Sequence, residues 1–318
     1  MKYGFGIDLG GTTVKLAYFD QEGTMLSKWE IPTDTSENGK NILSDIAASV
    51  RQYLNEKYIP DSDILGIGIG VPGPVDNRGW VNGCVNLGWG VFDIESALSQ
   101  YAGFPVKAGN DASVAALGEY WMGGGQGCDN MVFITLGTGV GGGIVVDGKV
   151  LHGVHGAGGE IGHVTLEPNE TLTCGCGNRG CAEQYCSATG IVRLAKEHLA
   201  ATGSASALAS KADLTCKDVF DAAAANDPDA LQILDRVYDY MGHLTAILCN
   251  ILDPEAVVLG GGVSKAGQVL LDGLMPHFQR YAFPGVRNVR FQLAQLGNDA
   301  GAYGAFKLAL SAFHNGNN

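Results

Sequence analysis

One local pattern occurs twice in this chain and constrains its fold more than any other feature. Tyr3 to Leu9 is an apolar run with a β-branched residue at Ile7; it leads into D-L-G-G-T-T over residues 8–13, and strand-like sequence resumes over Val14 to Phe19. Met131 to Gly143 reads M-V-F-I-T-L-G-T-G-V-G-G-G, and strand-like sequence continues through Val150. Both are strand, glycine-threonine turn, strand. One hairpin used twice, D-L-G-G-T against T-L-G-T-G, predicts a duplicated fold with two lobes facing each other across a cleft. Glycines at a strand end let backbone N–H groups approach an anion, and threonine hydroxyls add donors. Two such turns can clasp one polyphosphate from both sides, although either turn alone is also explained as an ordinary hairpin. A carboxylate at Asp8 would repel phosphate unless a divalent cation lies between them.

The 318 residues suffice for two lobes, each with its own core. A net charge of −13 with no Lys/Arg run argues against nucleic acid or an anionic membrane as partner. Asp8 interrupts the first apolar run and no cleavage pattern follows, so no signal peptide is expected. The longest apolar stretch, Val132 to Val146, is broken by Gly and Thr and is no membrane span. A cytoplasmic location is the expectation. In a reducing compartment clustered cysteines point to metal rather than to disulfides. The scattered Cys84, Cys128, Cys186, Cys216 and Cys249 read as small buried hydrophobes.

Met25 to Ile31 adds a third strand to the first hairpin, and Ile42, Ile46, Val50 and Leu54 have helical spacing. Ile64 to Val71 is a buried-strand run ending in V-P-G-P-V-D. Gly68, Gly70 and Gly73 fit G-x-G-x-x-G, but Pro74 follows where a dinucleotide site needs a helix to open, so a nicotinamide-dependent oxidoreductase is rejected. Gly137, Gly139 and Gly142 fit it too, with strand rather than helix following. Asn82 to Trp89 reads as a polar-aromatic loop; Trp89 is either the wall of a sugar pocket or a buried pin. Asn110 and Asp111 sit where a strand ends and a helix begins, a place for catalytic groups and for N-caps alike. Helical patterns cover Ser187 to Ala201, Cys216 to Ala225 and Pro228 to Leu252. Ala256 to Leu259 is a buried strand leading into Gly260, Gly261 and Gly262 with a helix expected next, a suitable nucleotide edge. The predicted organisation is a small lobe over 1–118, a large lobe over 119–298, a hinge near 118–127, and a terminal helix over 299–318 packing on the small lobe.

Between Gly156 and Glu183 the chain runs G-A-G-G-E-I-G-H, a polar bridge, then C-G-C-G-N-R-G-C-A-E. Cys174, Cys176 and Cys181 with His163 form a tetrahedral donor set suited to zinc, and four protein ligands leave a site structural rather than catalytic. Chance cysteines or a disulfide are the competing accounts. Glu160 and Glu183 flank the set.

These residues resemble the ROK family of bacterial sugar kinases and repressors, and within it the glucokinases. The resemblance spans nearly the whole chain: D-L-G-G-T at 8–12, G-N-D-A at 109–112, L-G-T-G-V-G-G-G at 136–143, E-I-G-H at 160–163, the cysteine motif at 174–183 and L-G-G-G-V at 259–263. It implies an α/β chain with the two-lobed actin-like ATPase (ribonuclease H-like) fold and a ligand cleft between the lobes. By matching position, Asp111 would be the general base for ATP-dependent phosphorylation of glucose at its 6-hydroxyl. Asn110, Glu160, His163 and Glu183 would hydrogen-bond the sugar, with selectivity set near Asn86 and Trp89. Asp8, Gly10, Gly11, Thr12 and Thr13 and the turn of Gly137, Thr138 and Gly139 would hold the phosphates of ATP with Mg2+. Gly260, Gly261 and Gly262 would approach the adenosine, and His163, Cys174, Cys176 and Cys181 would bind structural Zn2+. A homo-oligomer, dimer or tetramer, is implied as well. The alternatives are a kinase for N-acetylmannosamine, fructose or allose, or a non-catalytic sugar sensor. Family repressors carry an N-terminal helix-turn-helix, for which the phosphate turn at Asp8 is expected to leave no room.

Overall fold

The computed structural model describes residues 2–203 and 206–313, so residues 314–318 of the expected terminal helix lie outside the described residues. The chain opens with a meander of β1 (Tyr3–Leu9), β2 (Thr13–Asp20) and β3 (Met25–Pro32), followed by a single turn α1 (Ser36–Gly39) and α2 (Ile42–Glu56). Then come β4 (Ile64–Val71), a small hairpin of β5 (Trp80–Cys84) and β6 (Trp89–Asp93), α3 (Ile94–Ala102), β7 (Val106–Asn110) and α4 (Asp111–Met122). The second series is β8 (Met131–Leu136), β9 (Val140–Val146), β10 (Lys149–Val150), the one-turn α5 (Glu183–Cys186), α6 (Ala188–Thr202), α7 (Cys216–Ala224), α8 (Pro228–Leu252), β11 (Ala256–Gly260), α9 (Gln268–Tyr281), β12 (Arg290–Leu293) and α10 (Ala300–Phe313).

The two five-stranded sheets run β3-β2-β1-β4-β7 and β10-β9-β8-β11-β12. Counted within each series, both orders are 3-2-1-4-5. In the first, β1 pairs antiparallel with β2 and parallel with β4, which pairs parallel with β7. In the second, β11 lies parallel to both β8 and β12. The duplicated hairpin is therefore the start of a duplicated sheet.

The chain forms two compact units: residues 1–129, 143–159 and 295–318, called lobe one here, and residues 130–142 and 160–294, lobe two. In lobe one, Phe5, Ile7, Ile46, Val50, Ile67 and Ile69 are fully buried between sheet and helices. The other face of the sheet takes α10. Gly6 and Gly68 make this possible, because a Cβ at either would lie 1.9 Å or 1.7 Å from the carbonyl oxygens of Ala302 and Ala305. Side-chain-free strand positions thus let a helix backbone lie directly on the sheet.

In lobe two, α8 begins at Asp227-Pro228: the Asp227 carboxylate accepts from the N–H groups of Asp229 and Ala230, and proline occupies the first turn. Its buried face includes Ile233, Leu234, Val237, Met241, Leu244 and Leu248, at helical spacing. No helix among the described residues is long and apolar enough to cross a membrane.

One expectation differs from the structure. The stretch Asn82 to Trp89 is a hairpin rather than a loop, with Val81 paired to Phe92 and Cys84 to Trp89. The Trp89 indole packs edge-on against Phe92 and donates to Gly39 O at 3.2 Å, so it pins the hairpin to the core. After Gly260–Gly262 the chain makes a single 3-10 turn, Val263–Ala266, before α9 opens at Gln268.

Candidate active site

At the first glycine turn, Gly10 N–H donates to Thr13 O at 3.0 Å, closing the turn between β1 and β2. Thr33, at the end of β3, braces it from outside: its hydroxyl donates to Gly10 O at 2.8 Å and its N–H to Thr12 O at 2.9 Å. Gly11 and Thr12 are exposed. The Asp8 carboxylate faces Lys15, its cross-strand partner, with Nζ 3.3 Å from Oδ2. Lys15 also donates to Asn298 O at 3.4 Å.

At the head of α4 the structure separates two adjacent residues that the sequence could not. Asn110 is the cap, its Oδ1 accepting from Ser113 N–H at 3.1 Å. Its Nδ2 donates to Gly73 O at 3.2 Å and to Asp111 Oδ1 at 3.1 Å. Asp111 Oδ1 also accepts from Ala112 N–H at 2.7 Å. Asp111 is thus not needed to cap the helix, and one of its oxygens is held by two donors. Nearby, Asn86 is exposed in the 3-10 turn Val85–Leu87. That turn is anchored by Cys84, whose thiol donates to Pro72 O at 2.7 Å. Burial pushes the Cys84 thiol up, and the Asp111 carboxylate adds to the shift.

In lobe two, one ligand atom from each of His163, Cys174, Cys176 and Cys181 lies within 4.8 Å of all the others. Cys176 Sγ and Cys181 Sγ are 3.7 Å apart, and Cys174 Sγ is 3.8 Å from His163 Nδ1. With Zn–S bonds of about 2.3 Å, the edge of a tetrahedron of ligand atoms is about 3.8 Å. The set therefore fits a single tetrahedral ion, and all eight cysteines carry free thiols. Burial, then the neighbouring thiols, push the Cys181 thiol up to about 12. Three thiolates this close are unstable without a cation, and a divalent ion removes that cost. His163 Nε2 points away from the sulfurs, 3.9 Å from Glu160 Oε2. Glu160 is exposed.

The loop bearing these ligands is tied down by groups that sequence reasoning passed over. Glu170 accepts from the N–H groups of Thr171 and Leu172, from the Tyr185 hydroxyl at 2.6 Å, and pairs with Arg193 at 3.4 Å. The Leu172 N–H above all, then the Tyr185 hydroxyl, hold its carboxyl below the ordinary range. Gln184 accepts from Cys181 N–H and donates to Leu172 O. Glu183 is engaged with the second glycine turn, its Oε2 accepting from Val140 N–H at 3.0 Å, while Oε1 lies 3.8 Å from Cys174 Sγ.

In that second turn, Gly137 N–H donates to Gly139 O at 2.9 Å, and Thr138 is exposed. Gly260–Gly262 follow the neighbouring strand β11. Gly261 has φ +83°, and a Cβ there would lie 2.5–2.7 Å from the Leu136 backbone, so only glycine fits. The predicted residues thus divide: Asp8, Gly10–Thr13, Asn86, Asn110 and Asp111 belong to lobe one, and Gly137–Gly139, Glu160, His163, the three cysteine ligands, Glu183 and Gly260–Gly262 to lobe two.

A repeated 3-2-1-4-5 sheet with a glycine turn in each first hairpin defines the two-lobed α/β class of the ribonuclease H-like, actin-ATPase superfamily. A model of the ROK family matches residues 4–312, and the chain belongs to that family. It is 46% identical over 305 residues to the glucokinase of Halalkalibacterium halodurans, spanning 94% of this chain and 92% of that protein. A ROK family glucokinase from Streptomyces griseus, solved in complex with glucose and AMPPNP, superposes with TM-score 0.77 at 36% identity, covering 97% of this chain and 99% of that one. The ROK hexokinase from Thermus thermophilus superposes with TM-score 0.82 at 33% identity, covering 99% and 100%.

Proposed function

We infer that this chain is an ATP-dependent glucokinase that transfers a phosphoryl group to the 6-hydroxyl of glucose. The observation that carries this reading is likeness along the whole chain to glucokinases: 46% identity to one, and a common fold at 36% identity with another that was solved with glucose and an ATP analogue. A cytoplasmic enzyme acting on a free hexose is the corresponding biological reading.

In this reading the residues act as follows. A sugar hydroxyl is a weak nucleophile, and a carboxylate within hydrogen-bond reach takes its proton as transfer proceeds. Asp111 has that role. Ala112 N–H and Asn110 Nδ2 fix its Oδ1 and hence the carboxylate plane. Asn86, Asn110, Glu160, His163 and Glu183 supply directed hydrogen bonds to sugar hydroxyls, with His163 offering Nε2 while Nδ1 faces the sulfurs. The glycine turns at 8–13 and 136–141 receive phosphates, and Gly260–Gly262 lie toward the adenosine. Asp8 would be the carboxylate that holds Mg2+, which when bound neutralises phosphate oxygens. His163, Cys174, Cys176 and Cys181 would hold Zn2+, a structural ion that would fix the imidazole plane.

The test is an ADP-release assay with Mg-ATP against glucose, mannose, fructose, allose, N-acetylglucosamine and N-acetylmannosamine. Strong preference for glucose is expected, and preference for another sugar reassigns the substrate. Asp111→Asn is expected to lower kcat by about 10²–10⁴-fold with glucose still binding. Near-normal turnover in folded Asp111→Asn removes Asp111 as the base.

A further inference from the structure

The metal cluster and the second glycine turn are built into one piece of lobe two. Cys181 and Glu183 are separated only by Ala182. From Glu183 onward the chain grips the turn at three points. Val140 N–H donates to Glu183 Oε2 at 3.0 Å, Ala188 N–H donates to Gly137 O at 2.8 Å, and the Thr189 hydroxyl donates to Thr138 O at 2.6 Å. Ser187 stiffens the gripping segment: its hydroxyl donates to Glu183 O at 2.7 Å, accepts from Gly190 N–H at 3.0 Å and lies 3.0 Å from Thr189 Oγ1. The other end of the segment is set by the ligand loop. Ala182 N–H donates to Val164 O at 2.8 Å, one residue beyond His163, and Cys181 N–H donates to Gln184 Oε1 at 3.1 Å.

We propose that the metal loop is a strut for the phosphate-binding turn at 137–140, with Thr189 a positioning residue for the nucleotide. Two of the contacts hold the carbonyls of Gly137 and Thr138 toward residues 188–189 and the third ties Val140 N–H to Glu183, so the turn keeps the conformation that offers N–H groups to an anion. Metal loading is then felt at the nucleotide as well as at the sugar. A metal ion fixes Cys174, Cys176, Cys181 and His163 together, and two peptide bonds beyond Cys181 the grip on the turn begins. This inference rests on the reading of 137–139 as a nucleotide turn.

The experiment measures ADP and glucose affinity separately by calorimetry. Thr189→Val keeps the side chain's shape and removes its donor. The loss of one ordinary hydrogen bond corresponds to about 3–10-fold in a dissociation constant. ADP is expected to bind about that much more weakly, with glucose affinity unchanged and Thr189→Ser restoring ADP affinity. Gly137→Val tests the underlying reading, because a Cβ at Gly137 meets nothing within 4 Å and its side chain would occupy the space left for phosphate. If Gly137→Val leaves ADP affinity intact, the nucleotide reading of the turn fails and the strut with it. If Gly137→Val weakens ADP and Thr189→Val does not, the reading stands and the strut is wrong. The metal link is read by hydrogen exchange in Cys176→Ser. Faster exchange at the amides of Val140 and Ala188 is expected, and unchanged exchange in metal-free protein overturns that link.

Discussion

The two sheets share a strand order, and the two lobes differ in what holds each of them in place. Lobe one is closed by apolar packing: Trp29 stacks on Tyr53 at 4.6 Å, Phe19 stacks on Phe306 at 4.9 Å, and α10 lies on the glycines of β1 and β4. Its principal buried charge is Glu119, fully buried, whose carboxylate accepts from the N–H groups of Gly124, Gln295 and Leu296 at 2.8–3.0 Å. Lobe two has an amphipathic helix, α8, with one buried face, but the only helix or strand in its stretch from Glu160 to Ala182 is the 3-10 turn Ile161–His163. There the clustered His163, Cys174, Cys176 and Cys181 side chains and the Glu170–Tyr185 contact supplement a small core of Ile161, Leu166 and Tyr185. The difference shows how one sheet can carry two kinds of site. Where a helix covers it, position is set by packing. Where a loop covers it, position is set by a few directed bonds.

The comparison breaks if metal loss is felt equally by both lobes. Cys176→Ser, or chelation, is expected to expose residues 160–189 to rapid exchange while β1, β4 and α10 stay protected. Structural zinc in small peptides contributes about 10–16 kcal/mol, so this is the largest effect. Hydrogen exchange read lobe by lobe decides it, and loss of protection in β1 would unite what is here separated. The converse perturbation is Glu119→Ala. Three orphaned N–H groups at about 1 kcal/mol or more each predict a loss of at least about 3 kcal/mol, seen as a lowered urea midpoint, with the metal retained. Metal loss in that variant would contradict the division.

A finer contrast lies in the turns. Thr33 braces the first turn and Thr189 the second, one from a strand and the other from a helix start. Thr33→Val is expected to cost about 1 kcal/mol and to weaken nucleotide binding without altering metal content. Unchanged stability and affinity would make the brace incidental.

The smallest effect is one of pH. Burial holds His152, in lobe one, below the ordinary histidine value. Such a group binds its proton more readily when unfolded. Its contribution to stability is present above about pH 6.5 and is lost as pH falls through the folded value. His152→Gln should therefore flatten the dependence of the urea midpoint on pH below about 6.5. An identical slope in the variant would assign the acid sensitivity elsewhere.

Much of this was legible in the sequence because it is local. The hairpins announce themselves by apolar runs flanking glycine and threonine, α8 by an Asp-Pro start and helical spacing, and the metal set by cysteines within a few residues of each other. The braces were not legible, because their partners are far away in the chain: Glu119 meets Gln295, 176 residues on, and Thr189 meets Thr138. Nothing in E-Y-W-M or A-T-G-I marks either residue. Asn110 and Asp111 are both good caps, and only geometry assigns the cap to Asn110. The β5–β6 hairpin reads as a loop in sequence because Asn82, Gly83, Gly88 and Gly90 carry turn signals that cross-strand pairing overrides.

The place of α10 in the chain order bears on how the protein is made. Lobe one begins at the first strand, yet the helix that covers its sheet is translated after all of lobe two. Between the end of α4 at Met122 and the start of α10 at Ala300 lie roughly 180 residues, which at about 5–20 residues per second is about 9–36 s of synthesis. For that time the α10-facing side of β1 and β4, including the apolar Phe19 next to it, is bare on the ribosome. A nascent chain of this kind has a long interval in which chaperone capture competes with self-association, and it ends only when α10 is made.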